Sequence, residues 1–256
     1  MTNLNHLSLF TGIGGLDLAA EWAGFRTVGQ CEFADYPTRV LEKHWPDVPR
    51  WRDVYQLTGE EIKERCGAVN VVSAGFPCPA FSMSGKRGGF EQDRLFYEAT
   101  RICAEVEPPY IVFENVAGFT KWRHSLHEEI ESIGYEWADY VLDARDFGIP
   151  QARRRYFAVC FRRGMLFGSQ HLRRIQREEG QDIHRLQPYT ENSEGRWSST
   201  VGSKEEWRTI FSACRKSRDV DGVSNRMDRL RCLGNAVIPQ QAYPVFKTIA
   251  EMEEII

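Results

Sequence analysis

Two short runs in this chain of 256 residues are almost wholly apolar, VNVVSAGF at 69–76 and YIVFENV at 110–116. Both are too short for a buried helix and rich in β-branched or aromatic side chains, so each reads as a strand covered on both faces. A chain with such strands needs a sheet sandwiched between helices. HLSLF (6–10) and TVGQCEF (27–33) read as further strands, with GGLDLAAEWAG between them as a helix stopped by Gly24. Thr58 and Glu61 form a capping box that opens a short helix before the first apolar run. HSLHEEIESIG is helical, and strand-like segments follow around 135–143 and 155–161. Strand and helix in alternation predict a doubly wound, Rossmann-like α/β sheet with helices on both faces and ligands at the carboxyl ends of its strands.

The alternation stops near Arg162. From there to about Val223 the sequence is polar and weakly periodic, which predicts one domain built from 1–161 and 224–256 with a small polar subdomain, 162–223, inserted into it. NAVIPQQAYPVFKTIAEMEEI returns to a helical pattern that starts at Pro239, and Pro244 is expected to kink or restart it.

Hydrophobic content of 42% and charged content of 27% are those of a soluble domain. No stretch approaches a membrane span, and MTNLNHLSLF lacks the features of a signal peptide, so a cytoplasmic protein is expected. Seven scattered cysteines without a C-x-x-C pair suggest neither a disulfide framework nor a zinc site, and no metal is expected. Eight arginines lie between Gln151 and Arg177 with no acid among them. Such clustering suggests a phosphate-rich partner, although a solvated face has the same composition.

Four stretches carry residues with chemical potential. FTGIGGLDL (10–18) follows the first strand and opens a helix, so its glycines allow close approach of a ligand to the backbone; the third glycine of a dinucleotide fingerprint is absent, as is a P-loop lysine. Glu32, at the end of the second strand, is placed to accept ribose hydroxyls, and together the two features suggest a nucleoside-containing cofactor. GFPCPAFS (75–82) fixes Cys78 between two prolines at the sheet edge, on chain too stiff for a helix. The Gly-rich basic loop after it, through Arg94, is of the kind that closes over a substrate. FENV (113–116) puts Glu114 at the end of a very apolar strand, where a carboxylate must be paired, used, or spent on capping the next helix. In PQARRRYFAV (150–159), strand spacing predicts Gln151, Arg153 and Arg155 on one face and Arg154 on the other.

FTGIGG, GFPCPAFS, ENV, QARRR and LGNAV, in this order and spacing, resemble the motifs of the cytosine-C5 DNA methyltransferases, and together they span nearly the whole chain outside the polar insert. The ending GVSNRMDRLRCLGNAVIPQ is similar to that of the short bacterial and phage forms. The resemblance implies a DNA (cytosine-5-)-methyltransferase that takes its methyl group from S-adenosylmethionine, leaves S-adenosylhomocysteine, and acts on a flipped cytosine in double-stranded DNA. It implies Cys78 as the nucleophile toward C6, Glu114 on N3 and the exocyclic amine, Arg155 on O2, and Arg153 in support of the site or on a phosphate. For the cofactor it implies Phe10, Gly12, Ile13 and Gly15 in the first loop, Glu32 on the ribose, Phe33 near adenine, and Asp53 with Val54 at the adenine edge. Pro77, Leu95, Asn235 and Val237 complete that pocket, although the apolar members fit a core equally well.

Ser82, Lys86 and Arg87 in the loop, and Gln151, Arg162, Arg163, Arg173 and Arg174 around and within the insert, are the expected nucleic-acid contacts. No metal, membrane or obligate protein partner is implied, and a monomer is expected. Two departures stand out. Pro79 occupies the place where the family commonly has glutamine, and Asn225 to Arg231 stand where its motif before the last helix is not found in the usual form. A tRNA cytosine methyltransferase on the same scaffold is the alternative within the enzyme class. A catalytically idle DNA-binding relative is a rival from another class, opposed by intact Cys78, Glu114 and Arg155, and a nicotinamide oxidoreductase is the last rival, opposed by the missing third glycine and by the later motifs.

Overall fold

The apolar runs form the centre of one seven-stranded sheet. A computed structural model describes residues 4–77, 94–149, 151–165 and 235–253. In chain order the strands are β1 (Leu4–Leu9), β2 (Phe25–Cys31), β3 (Arg50–Trp51), β4 (Val71–Ala74), β5 (Tyr110–Val116), β6 (Tyr135–Asp143) and β7 (Arg154–Arg162). Their spatial order is β3-β2-β1-β4-β5-β7-β6. The first five run parallel, and β7 enters antiparallel between β5 and β6. All four residues of β4 and the first six of β5 are buried, as strands covered on both faces must be.

The helices are α1 (Gly15–Trp22), α2 (Asp35–His44), α3 (Gly59–Cys66), α4 (Arg94–Val106), α5 (Arg123–Ser132) and α6 (Pro239–Glu253). One face of the sheet packs Ile62 of α3, Phe96 and Ile102 of α4 and Leu126 and Ile130 of α5. The other packs Leu16, Ala19 and Ala20 of α1 against Ala242, Phe246 and Ile249 of α6. Alternate residues of each central strand serve the two cores, Ile111 and Phe113 one and Tyr110 and Val112 the other. No helix among the described residues is long and apolar enough to cross a membrane.

Three local expectations need correction. α6 does start at Pro239 but does not restart at Pro244, which lies buried inside one continuous helix. Pro244 has no N–H to give to the helix, and its carbonyl accepts from Thr248 Oγ1 at 2.9 Å. The capping box is half formed: Thr58 Oγ1 accepts from the Glu61 amide at 3.2 Å, while Glu61 Oε1 is taken by Trp51 Nε1 at 2.7 Å. β7 begins at Arg154, so Gln151 is not on strand spacing with Arg153 and Arg155; it is exposed, and its amide donates to the Ile149 carbonyl at 2.7 Å.

The glycines of the first loop answer to specific neighbours. A Cβ on Gly14 would stand 2.5 Å from the Trp45 ring, at a φ of +86° that disfavours any side chain. On Gly15 it would meet the Val237 carbonyl at 2.6 Å, so this glycine lets the segment before α6 dock on α1. Gly14→Ala is therefore expected to lower stability by about 2–4 kcal/mol, combining overpacking with backbone strain, as a urea melt would register.

Candidate active site

The parallel strands end together, and the candidate residues collect at that edge. After β1 the chain turns sharply: Phe10 takes a φ of 53° and Gly12 one of 58°. A left-handed backbone at a bulky aromatic costs about 1–3 kcal/mol and is kept where function or packing over-determines it. Thr11 holds the turn, its amide donating to the Cys31 carbonyl at 3.1 Å and its hydroxyl to the Ser8 carbonyl at 3.1 Å. Gly12 N–H donates to Glu32 Oε2 at 2.7 Å, and Ala34 N–H to Glu32 Oε1 at 2.8 Å. Both oxygens are thus fixed by the backbone while each keeps acceptor capacity for a hydroxyl.

Beyond Glu32, Phe33 is 76% exposed, a large apolar ring presented to solvent at the strand end. Its carbonyl accepts from Arg52 Nη2 at 2.6 Å, an anchor between residues far apart in sequence that no local pattern announces. Asp53 is half-buried and caps the Tyr55 amide through Oδ1 at 3.0 Å. A Cβ on Gly12 would meet nothing within 4 Å, so the loop borders open space. Fixed carboxylate, exposed ring and open glycine loop fit an adenosyl group: hydroxyls on Glu32, a flat base beside Phe33.

The apolar candidates divide. Val54 is buried in the core, Leu95 is half-buried and packs against the same core, and Ile13 is half-buried in the loop. Val237 is buried against Gly15, Asn235 is exposed, and Pro77 is exposed at the end of the segment that follows β4.

The second half of the site lies at the ends of β4, β5 and β7. Glu114 and Arg155 are diagonal neighbours across β5 and β7, with Arg155 Nε 2.9 Å from Glu114 Oε1 and side chains only 9% and 12% exposed. The approach makes a buried ion pair in which Oε1 faces Arg155 without a well-aligned hydrogen bond. Burial pushes the Glu114 carboxyl up to about 7, against the opposing pull of Arg155 and Arg153. Glu114 does not cap the next helix: the 3-10 turn after β5, Ala117–Trp122, has Val116 at its N-cap and no side-chain cap.

Arg153 donates to the carbonyl of Ala236, tying QARRR to the segment before α6. Asn115, beside Glu114, donates from Nδ2 to the Phe76 carbonyl at 3.1 Å and accepts the Val116 amide on Oδ1 at 2.9 Å. Phe76 is further held among Phe96, Phe113 and Phe119. The chain is thus fixed up to the residue before Pro77, close to Glu114: a Cβ on Gly75 would stand 3.3 Å from Glu114 Oε2. Asn115 stands with Glu114 at the end of the apolar strand, while Gly75 is marked only by its adjacency to the Pro-Cys dipeptide.

Cys78, Ser82, Lys86, Arg87, Arg173 and Arg174 lie outside the described residues. Arg162 and Arg163 are described and are not brought to this edge. β7 runs against β5, so Arg155 pairs with Val116 at the site while Phe161 pairs with Tyr110 at the far end. Seven steps of strand separate Arg162 from Arg155, roughly 23 Å.

Residues 4–228 match the family described as C-5 cytosine-specific DNA methylase, and the chain belongs to that family. It is 36% identical over 169 residues to the type II methyltransferase M.HhaI of Haemophilus parahaemolyticus, covering 63% of this chain and 50% of that one. Against the type II methyltransferase M.XorII of Xanthomonas oryzae it is 35% identical over 178 residues, covering 64% and 42%. The chain thus spans about half the length of the curated relatives it matches. The solved Dnmt2 methyltransferase of S. pombe shares the fold across 99% of both chains, with a TM-score of 0.62 at 16% identity.

Proposed function

We propose that this protein is a DNA (cytosine-5-)-methyltransferase acting on a cytosine turned out of duplex DNA. The buried Glu114–Arg155 pair, set beside the pinned segment that leads to Cys78, carries the reading. A carboxyl with a pKa of about 7 holds its proton for much of the time near neutrality. In that form it donates from one oxygen and accepts on the other, matching cytosine, whose N3 accepts and whose 4-amino group donates. Thymine and uracil present the reverse pattern. Arg155, on the same carboxyl, is placed to donate to O2.

Ring carbon C5 is a weak nucleophile. The Cys78 thiolate adds to C6, forming the S–C6 bond as the C5–C6 π pair shifts toward C5, and Glu114 offsets the charge that builds by protonating N3. S-adenosylmethionine supplies the methyl group as an electrophile, held by Glu32 and Phe33 with Phe10, Gly12, Ile13, Gly15, Asp53 and Val54 around it. Loss of the C5 proton to solvent then restores the double bond, the S–C6 pair returns to Cys78 as thiolate, and N3 gives its proton back to Glu114. A base inside a duplex is out of reach of such a site, so the nucleotide is extruded. Ser82, Lys86 and Arg87 are assigned to closure over DNA, and the 162–223 insert, with Arg173 and Arg174, to phosphate and base contacts.

The test is transfer of labelled methyl from S-adenosylmethionine to duplex DNA and to tRNA. Label in duplex DNA is expected; label in tRNA alone supports the RNA alternative, and label in neither supports the idle relative.

A further inference from the structure

Beneath the cofactor loop lies a chain of polar contacts that the proposed chemistry does not use. Asp17, on the first turn of α1, is fully buried and accepts from Ser8 Oγ at 3.0 Å on Oδ2 and from Gln30 Nε2 at 2.8 Å on Oδ1. Gln30, also fully buried, accepts on Oε1 from Arg50 Nη2 at 2.7 Å and Nε at 3.1 Å. Arg50 Nη2 donates again to the Trp45 carbonyl at 3.0 Å. Trp45 donates from Nε1 to Glu21 Oε1 on α1 at 2.5 Å and lays its ring against Gly14. Gly14 stands three residues before Asp17, so the contacts close into a ring.

We propose that the ring Asp17–Gln30–Arg50–Trp45–Gly14 is the positioning frame of the cofactor loop, making Asp17, Gln30 and Arg50 determinants of affinity for the adenosyl cofactor. The proposal rests on the reading of that loop given above. One side of the ring is the loop-helix junction that carries Gly12, and the other is the end of β2, where Gln30 precedes Glu32 by two residues. The ring therefore sets the distance across which Gly12 N–H meets Glu32 Oε2.

A packing role alone would be served by an apolar side chain, as it is by Leu16, Ala19 and Ala20 on the same helix face. Burial instead pushes the Asp17 carboxyl up to about 6, so near neutrality it stays charged at a cost to stability. What the carboxylate adds is direction. It takes the Gln30 amide by its nitrogen, and the opposite end of that amide can then face only a donor, which Arg50 is.

The test uses the full chain and S-adenosylhomocysteine, titrated by calorimetry so that no turnover is needed. The double variant Asp17→Leu/Gln30→Leu replaces both buried partners with apolar groups of similar size, a change that tends to be tolerated thermally. Arg50→Met cuts the ring at a half-buried residue where folding is least at risk. Both are expected to weaken binding about tenfold, as loss of supporting residues does at other preorganised sites, with Tm held and kcat at saturating cofactor within about threefold of wild type. Arg50→Lys, which keeps one donor, should recover part of the loss. Wild-type affinity in Arg50→Met overturns the proposal, whether or not the double variant folds, and so does a fall in Tm without a fall in affinity. A wild-type protein that binds no S-adenosylhomocysteine overturns the cofactor reading itself, a different outcome from variants that bind as wild type does.

Discussion

Cys78→Ala is expected to reduce methyl transfer to DNA by at least about four orders of magnitude, on the scale of enzymes that lose their nucleophile. Without the thiolate, C5 of cytosine has no route to a carbanion-like state, and proximity to the methyl donor cannot substitute for one. The change removes a single sulfur and leaves untouched the Asn115 bond to the Phe76 carbonyl and the Phe76, Phe96, Phe113 and Phe119 cluster that hold the chain before Pro77. S-adenosylhomocysteine should accordingly bind as in wild type. Single-turnover transfer of labelled methyl, run beside that titration, separates lost chemistry from lost structure.

Glu114→Gln is expected to cost about 10²–10³ in kcat, the usual effect of removing one group that stabilises developing charge. Glutamine still accepts from the 4-amino group but cannot transfer a proton to N3. The pH profile identifies the group. Wild type needs Glu114 protonated, with a pKa of about 7, so its rate relative to that of Glu114→Gln should be constant below pH 7 and fall about tenfold per pH unit above it. The loss on the alkaline side that Glu114 imposes is absent from Glu114→Gln.

The linkage to stability has the opposite sense to that of an ordinary surface carboxylate. The folded-state value of Glu114 is raised above its unfolded value of 4.5, so its favourable contribution is complete below pH 4.5 and is lost as pH rises through about 7. Binding of a cytosine edge that accepts the proton's hydrogen bond offsets part of that loss.

How much of this was legible in the sequence depended on how local each cause is. β5 and β6 stand at the residues their patterns predicted, because burial on both faces or alternation of apolar residues is a local signature. α2 and the two-residue β3 were not read. DYPTRVLEKH has a proline and few apolar residues, and a strand of two residues is fixed by its partner rather than by its own sequence. The pattern of α4 is obscured because RLFYEATRICAEV directly follows a glycine-rich stretch with the composition of a loop.

The site shows the same division. Glu114 and Glu32 were visible as acids at the ends of apolar strands. The ties that position them are long-range and were not visible: Asn115 to Phe76, Arg52 to Phe33, Arg153 to Ala236. Strand direction was the costliest omission. The arginines from 153 to 163 look like one basic cluster in sequence, but the antiparallel entry of β7 puts Arg155 at the site and Arg162 and Arg163 at the opposite end of the sheet.

The most direct measurement is covalent trapping on duplex DNA in which the target cytosine carries fluorine at C5. Fluorine cannot leave as a cation, so once the thiolate has added to C6 and the methyl group has been transferred, the double bond cannot reform and the adduct persists. The account predicts a protein–DNA complex stable to denaturant, dependent on S-adenosylmethionine, with the modified nucleotide on Cys78 by peptide mass and no complex from Cys78→Ala. Methylation of ordinary cytosine with no trapped complex, or a complex that survives the Cys78→Ala change, would contradict it.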